Sequence, residues 1–241
     1  MSKLYVVGTP IGNLEDITLR ALRILKEVDY IACEDTRVTH KLLLHFEISN
    51  KKLLTYNNYT EKNSTKGILN LIESGHSVAL VSDAGMPVVS DPGFEVIKQA
   101  KQNNIEVEII PGVNAAIVAF VGSNFDNTFT FCGFMKDKSG QRINYLQTLS
   151  IGTYIFYVSP HKLEKTLLDL ETVFGESCEI CLAKELTKIH ENWFFGKPRE
   201  VLEQVIAQNA MKGEFTLVLN IPKQKSKKIS KYAKGGINEN S

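Results

Sequence analysis

The sequence predicts an α/β fold divided into two α/β domains, 1–120 and 121–222, followed by a flexible basic tail, 223–241. Strand and helix signals alternate through the first 110 residues, an order that favours a largely parallel sheet because helical crossovers must cover both sheet faces. A polar, turn-rich stretch from Gly122 to Thr128 interrupts the alternation, which then resumes. No repeat at solenoid spacing competes with this reading.

Leu4 to Gly8 opens with a short apolar run, read as the first strand. Ile17 to Val28 carries apolar residues on one broad helical face, with Asp16 placed to cap its start. Tyr30 to Cys33 is the next strand, and Glu34-Asp35-Thr36-Arg37 leads into a helix through Leu44. Leu53 to Tyr56 reads as a strand, Ile68 to Ile72 lies in a helix, and Val78 to Val81 is a compact central strand. Asp91-Pro92 supplies a cap and a first-turn proline for a helix toward Gln99. Val107 to Ile110 is a strand that Pro111-Gly112 breaks, and Asn114 to Phe120 forms a short helix.

The second half begins with core strand residues Phe129 and Phe131, then a Lys/Gly-rich loop from Met135 to Arg142. Tyr154 to Val158, Cys178 to Ala183 and Phe215 to Leu219 read as strands. Helices fill Lys162 to Val173 and Glu200 to Ala210, the latter opened by Pro198 and ended by Lys212-Gly213. Trp193 with Phe194 and Phe195 reads as a packing or dimer patch.

At 241 residues and 43% hydrophobic, the chain has enough apolar surface for a substantial core, which argues against disorder as the dominant state. Four cysteines do not make a secreted disulfide framework, and no apolar run approaches the length of a membrane span. A soluble, cytoplasmic setting without membrane contact is the expectation. The formal charge of +1 hides an asymmetry: Lys223, Lys225, Lys227, Lys228, Lys231 and Lys234 against Glu239 leave the first 221 residues at about −4. Such an end can hold phosphate with little sequence selectivity, or simply solubilise the chain.

The first loop, after Leu4-Tyr5-Val6-Val7, spaces Gly8 and Gly12 as GxxxG, which fails the GxGxxG dinucleotide fingerprint. More informative is ALVSDAGMPVVSDPG. A strand ending at Val81 releases Ser82, Asp83, Ala84 and Gly85 at its carboxyl edge, where open α/β sheets place ligands. Cys178 and Cys181 form an isolated CxxC whose odd separation in a strand points the thiols to opposite faces, so no metal is assigned there.

TPIGNLEDITLRAL, ACEDTR, LVSDAGMPVVSDPG, IIPGVNAA, YVSPHKL, AKELTKIHE and the late KGEF occur in order between about residues 4 and 219. Together they resemble the tetrapyrrole-methylase superfamily, and more closely its bacterial branch that methylates a cytidine ribose 2′-oxygen in the 16S ribosomal RNA of the small subunit. The resemblance implies S-adenosylmethionine as methyl donor, two dissimilar α/β domains with the donor in the cleft between them, and a homodimer. It assigns Pro10 to the first donor loop, Asp83, Ala84 and Gly85 to the second, and Pro111 and Gly112 to the third; beside these, Ser82 is a donor contact expected from its place at the strand's carboxyl edge. It places Glu34, Asp35 and Arg37, with Lys184 and Glu185, at the reaction cleft. The chain departs from its relatives at Tyr56-Asn57-Asn58-Tyr59-Thr60-Glu61, where many have a His-Glu-His-Asn type segment, and at Met86, Val88 and Val113-Asn114.

In-line displacement at a sulfonium needs an aligned hydroxyl and a group to take its proton. Arg37 is assigned to substrate phosphate or a neighbouring acid. Glu34, Asp35 and Glu185 are candidate proton acceptors or orienters, each equally able to serve as a cap or as partner to Arg37 or Lys184. Lys136, Lys138 and Arg142 form a basic loop expected to guide RNA, with Phe134 or Tyr145 against a splayed base and His161 shaping the cleft. A tetrapyrrole or other small-acceptor methyltransferase and a non-catalytic ribosome-assembly protein are the competing readings.

Overall fold

The computed structural model describes residues 2–57 and 61–223. The departure at 58–60 and the lysine-rich end beyond Lys223 lie outside the described residues.

Among the described residues ten strands form two five-stranded sheets. The first contains β1 (Leu4–Val7), β2 (Tyr30–Cys33), β3 (Lys52–Thr55), β4 (Val78–Val81) and β5 (Val107–Ile110) in the order β3-β2-β4-β1-β5, all parallel. All four residues of β4 are buried, as a central parallel strand covered on both faces requires. Alternate residues divide between two cores. Val7, Ile31, Cys33, Ala79 and Val81 face α1 (Leu19–Glu27) and α2 (Thr36–His45). Leu4, Val6, Ala32, Val78 and Leu80 face α3 (Glu61–Glu73) and α4 (Phe94–Gln102). Each fully buried Val, Leu or Ile contributes about 1.5–3 kcal/mol, so a one-residue register slip would be prohibitive.

The second sheet is mixed: β6 (Thr130–Phe134), β7 (Gly152–Val158), β10 (Phe215–Ile221), β8 (Glu179–Lys184) and β9 (Asn192–Gly196), in that order. Only β6 and β7 are parallel. α6 (Ser139–Leu146), α7 (Leu163–Phe174) and α8 (Pro198–Ala207) cover one face. α5 (Ala115–Ser123), although it spans residue 120, packs on the other face through Ala116 and Ala119 against Ile155, Cys181, Ala183 and Val218. Cys178 and Cys181 fall in these two separate cores. No helix among the described residues is long and apolar enough to cross a membrane.

Several local expectations are corrected. α1 is capped by Thr18, whose Oγ1 accepts from the Ala21 amide, while Asp16 lies in a preceding 3₁₀ turn. α4 begins at Phe94 with Gly93 at its N-cap and no side-chain cap bond, so Asp91 is not its cap. Trp193 to Phe195 belong to β9, with the Trp193 ring against Gly122 of α5 and Phe194 in the core. Arg142 is not a loop residue meeting RNA. It lies inside α6, is fully buried, and pairs with Asp169 of α7 at 2.7 Å through Nε and 2.6 Å through Nη2. Its Nη1 also donates to the Lys136 carbonyl at 2.7 Å, which ties down the loop entering α6.

Candidate active site in the cleft between the sheets

Three loops leave the carboxyl ends of β1, β4 and β5 and interlock by backbone. Thr9 and Gly85 exchange N–H···O bonds of 2.9 and 3.1 Å, a bridge that Gly85 reaches with φ of +77°. Gly8 and Gly112 touch so closely that a Cβ on Gly8 would sit 2.7 Å from the Gly112 Cα. Glycine is required at that crossing because backbone meets backbone.

The loops wall a cavity of about 390 Å³ between the two sheets. Ile11, Asp83, Ala84, Met86 and Asp91 line it from the first region, with Asn114 and Ala115 at the start of α5. Tyr157, Ser159, Leu186, Glu214 and Thr216 close it from the second. A mainly apolar cavity with a few converging polar groups is the usual form of a small-ligand site. Two further cavities adjoin it. One, of about 380 Å³, contains Pro10, Gly12 and Lys41; the other, of about 360 Å³, contains Glu34, Asp35, Arg37 and Asn57. Asp83 borders all three.

The residues assigned from sequence therefore separate. Asp83 and Ala84 face the main cavity, with Ser82 buried beneath them, while Pro10 lines the neighbouring one. Pro111 and Gly112 do not line it: Pro111 is exposed, Gly112 is spent on Gly8, and Asn114-Ala115 provide the wall instead. Glu34, Asp35 and Arg37 gather in the side cavity. Arg37 folds back on Asp35, with Nη2 at 2.6 Å from Oδ2 and Nε at 3.0 Å from Oδ1, and this pairing holds the Asp35 carboxyl down at about 2.

Lys184 ends β8, and Glu185 stands away from the main cavity wall. Its amide donates to the Glu214 carbonyl, and its Oε1 accepts from the Glu214 amide at 2.7 Å and from Lys188 at 3.2 Å. Burial works to raise Glu185, but those donors outweigh it and leave the carboxyl below its ordinary range. Lys136 and Lys138 are exposed at the entrance to α6, and His161 is exposed in the 3₁₀ turn before α7. Phe134, 60% exposed, lies at the border between the main cavity and a pocket containing Lys136.

Sequence reasoning missed Asp91, Tyr157, Asn114 and Glu214 as wall residues. Asp91 looked like a cap because SDPG precedes a helix; the positive φ of Val88 (76°) and Ser90 (71°), which turns the chain back, has no sequence signature. Burial, together with the charge of Glu34, pushes Asp91 up to about 6 against the opposing hydrogen bond of Ser82. Burial also raises Asp83 and Glu34; the charges of Asp83 and Asp35 add to the Glu34 shift, and that of Asp35 adds to the Asp83 shift. A cavity with such a wall favours a cationic ligand.

Ligand loops of a parallel sheet facing a mixed second sheet across a cavity define a two-region α/β class of small-ligand-binding protein. The profile of the Tetrapyrrole (Corrin/Porphyrin) Methylases matches residues 3–202, and the chain belongs to that family. Among solved structures, a cobalt precorrin-4 methyltransferase of cobalamin biosynthesis superposes with a TM-score of 0.65 at 16% identity, covering 90% of this chain and 94% of that one. A uroporphyrin-III C-methyl transferase from Thermus thermophilus, complexed with S-adenyl homocysteine, gives 0.60 at 16% identity, covering 91% and 97%. These establish a shared fold. Within the family the chain is similar to proteins named ribosomal RNA small subunit methyltransferase I. The one from Mycoplasmopsis pulmonis is 54% identical over 222 residues, 92% of this chain and 99% of its own length. That from Mesomycoplasma conjunctivae is 45% identical over 231 residues, 95% and 96% of the two chains.

Proposed function

We propose that the protein transfers a methyl group from S-adenosylmethionine to the ribose 2′-oxygen of a cytidine in 16S ribosomal RNA. The observation that carries the reading is the match to small-subunit rRNA methyltransferases over more than nine-tenths of both chains. S-adenosylmethionine fits the main cavity. Asp83 and Asp91 oppose its positive charges, and Ile11, Met86 and Leu186 offer apolar wall, while buried Gly85 holds the loop against Thr9 from behind. When bound it supplies an electrophilic methyl. The protein's part is to exclude water, align the hydroxyl and take its proton.

The side cavity around Glu34 and Arg37, joined to the donor cavity at Asp83, is the proposed seat of the acceptor's base and phosphate, its ribose reaching past Asp83 into the donor cavity. Lys136, Lys138 and His161 are proposed RNA contacts at its outer edge. A homodimer is part of this reading, supported by exposed Ile117 and Val121 one turn apart on α5. Four free thiols suit a reducing, cytoplasmic compartment.

The test offers labelled S-adenosylmethionine to naked 16S RNA, isolated small subunits and whole ribosomes, then maps the modified nucleotide. Label on one cytidine ribose is the expected result. Transfer to a tetrapyrrole ring and to no RNA form would overturn the proposal.

A further inference from the structure

We infer that Asp91 is the group that takes the proton from the attacking ribose hydroxyl, an assignment that rests on the methyl-transfer reading above. Asp91 lines the main cavity and has no capping task in the helix that follows it. Gly93 occupies the N-cap of α4 without a side-chain bond. To put Asp91 there, the chain holds Val88 and Ser90 in the left-handed region, a conformation that costs non-glycine residues about 1–3 kcal/mol each. The Val88 amide closes this turn on the Pro92 carbonyl at 3.3 Å. Strain of this kind persists where the surroundings over-determine the backbone, and here it orients the segment that carries Asp91.

The other carboxylates near the cleft are committed elsewhere. Asp35 is clamped by Arg37. Glu185 and Glu214 share Lys188, at 3.2 and 3.1 Å. Asp83 Oδ1 accepts the Asp35 amide at 3.0 Å, and Glu34 lines the side cavity only. Among the described residues no ion pair is formed by Asp91. The titratable groups around it are Glu34 at the end of the β2 strand, Asp83 after β4 and Tyr157 on β7, with Ser82 hydrogen-bonded to it. Two of those are like charges, so they strengthen it as a base.

The step balances. A lone pair of the 2′-oxygen forms the O–C bond, the C–S bond breaks, and its electron pair stays on sulfur as a neutral thioether. The hydroxyl proton moves to an Asp91 carboxylate oxygen. A sulfonium and a carboxylate become two neutral groups, a change favoured in a cavity from which water is excluded. Burial holds Asp91 at about 6, so it is ionised at neutral pH yet more basic than an ordinary carboxylate.

The test is single-turnover methylation of small subunits at saturating donor from pH 5 to 8.5, alongside equilibrium donor binding, for wild type, Asp91→Asn, Asp91→Glu and Ser82→Ala. The wild-type rate should climb with pH through about 6 and then level, because only the ionised carboxylate accepts a proton. Asp91→Asn should lower the plateau by about 10²–10⁴ and abolish the climb. Donor affinity, which loses one opposing charge, should fall by at most about tenfold (about 1.4 kcal/mol), far less than the rate. Asp91→Glu should recover part of the rate with a displaced midpoint. Ser82→Ala, which leaves the carboxylate in place, should move the midpoint upward because a bond favouring the ionised form is lost; an unmoved midpoint counts against the assignment even if Asp91→Asn does not fold. Asp91→Asn retaining the wild-type plateau and pH profile would overturn it, as would a defect confined to donor binding. A wild type that methylates no RNA form would instead remove the reading on which this rests.

Discussion

Arg142→Met keeps most of the aliphatic bulk of the side chain and removes the guanidinium that holds Asp169 at 2.7 and 2.6 Å. It also strips the donor from the Lys136 carbonyl. Taking one partner from a buried pair costs about 3–5 kcal/mol, because the other charge is left uncompensated. Ser139 still donates to Asp169 Oδ1 at 2.9 Å, which places the expected loss near the lower end, about 3 kcal/mol. In a chain of this size that corresponds to a fall in Tm of about 6–12 °C. Urea and thermal unfolding measure the loss, and RNA affinity is measured in parallel on the folded variant. Stability within about 0.5 kcal/mol of the parent, coupled to a large loss of RNA affinity, would refute the reasoning and return Arg142 to the RNA surface. The double variant with Asp169→Leu should regain most of the stability, since an apolar pair replaces the buried ions.

Gly112→Ala sets a Cβ 2.8 Å from the Gly8 Cα, with backbone on both sides, so the β1 and β5 loops must separate. A stability loss of about 1–3 kcal/mol with weakened donor binding is expected, checked by calorimetry; unchanged values would mean the crossing yields freely. Arg37→Ala should return the Asp35 carboxyl from about 2 toward its ordinary range, so that its charge is lost at a higher pH as acid is added. A carboxyl NMR titration reads this directly, and an unmoved Asp35 contradicts the clamp. Cys178 and Cys181, both buried and pushed up to about 12 by that burial, should resist a disulfide reagent at pH 8 until the protein unfolds. Rapid native-state labelling of Cys181 would show that its core opens.

The first sheet was legible because each of its strands is a short run with glycine, proline or charge at its ends, and β4 is apolar throughout. The order of the loops was legible for the same reason: glycines mark where backbone must approach backbone. Side-chain commitments were not. Arg142 among lysines reads as a surface cation, and only the partner 27 positions later on α7 reveals it as core. Asp91 before Pro-Gly satisfies a capping rule, and only the left-handed residues ahead of it turn the carboxylate inward. β9 was hidden because aromatic residues alone do not distinguish a patch from a strand, even though it pairs antiparallel with the strand just before it. Burial and long-range partners decide such cases, and neither has a local periodicity.

The position of β10 bears on biosynthesis. The first sheet has all its strands once residue 110 has left the ribosome, whereas the second is pinned by a strand, Phe215–Ile221, that is made last and lies at the middle of its order. Until it emerges, β7 and β8 each present an unpaired edge to the nascent chain's surroundings. Vectorial synthesis therefore leaves a half-assembled, aggregation-prone stage late in translation, and any premature stop before Phe215 would make that stage permanent.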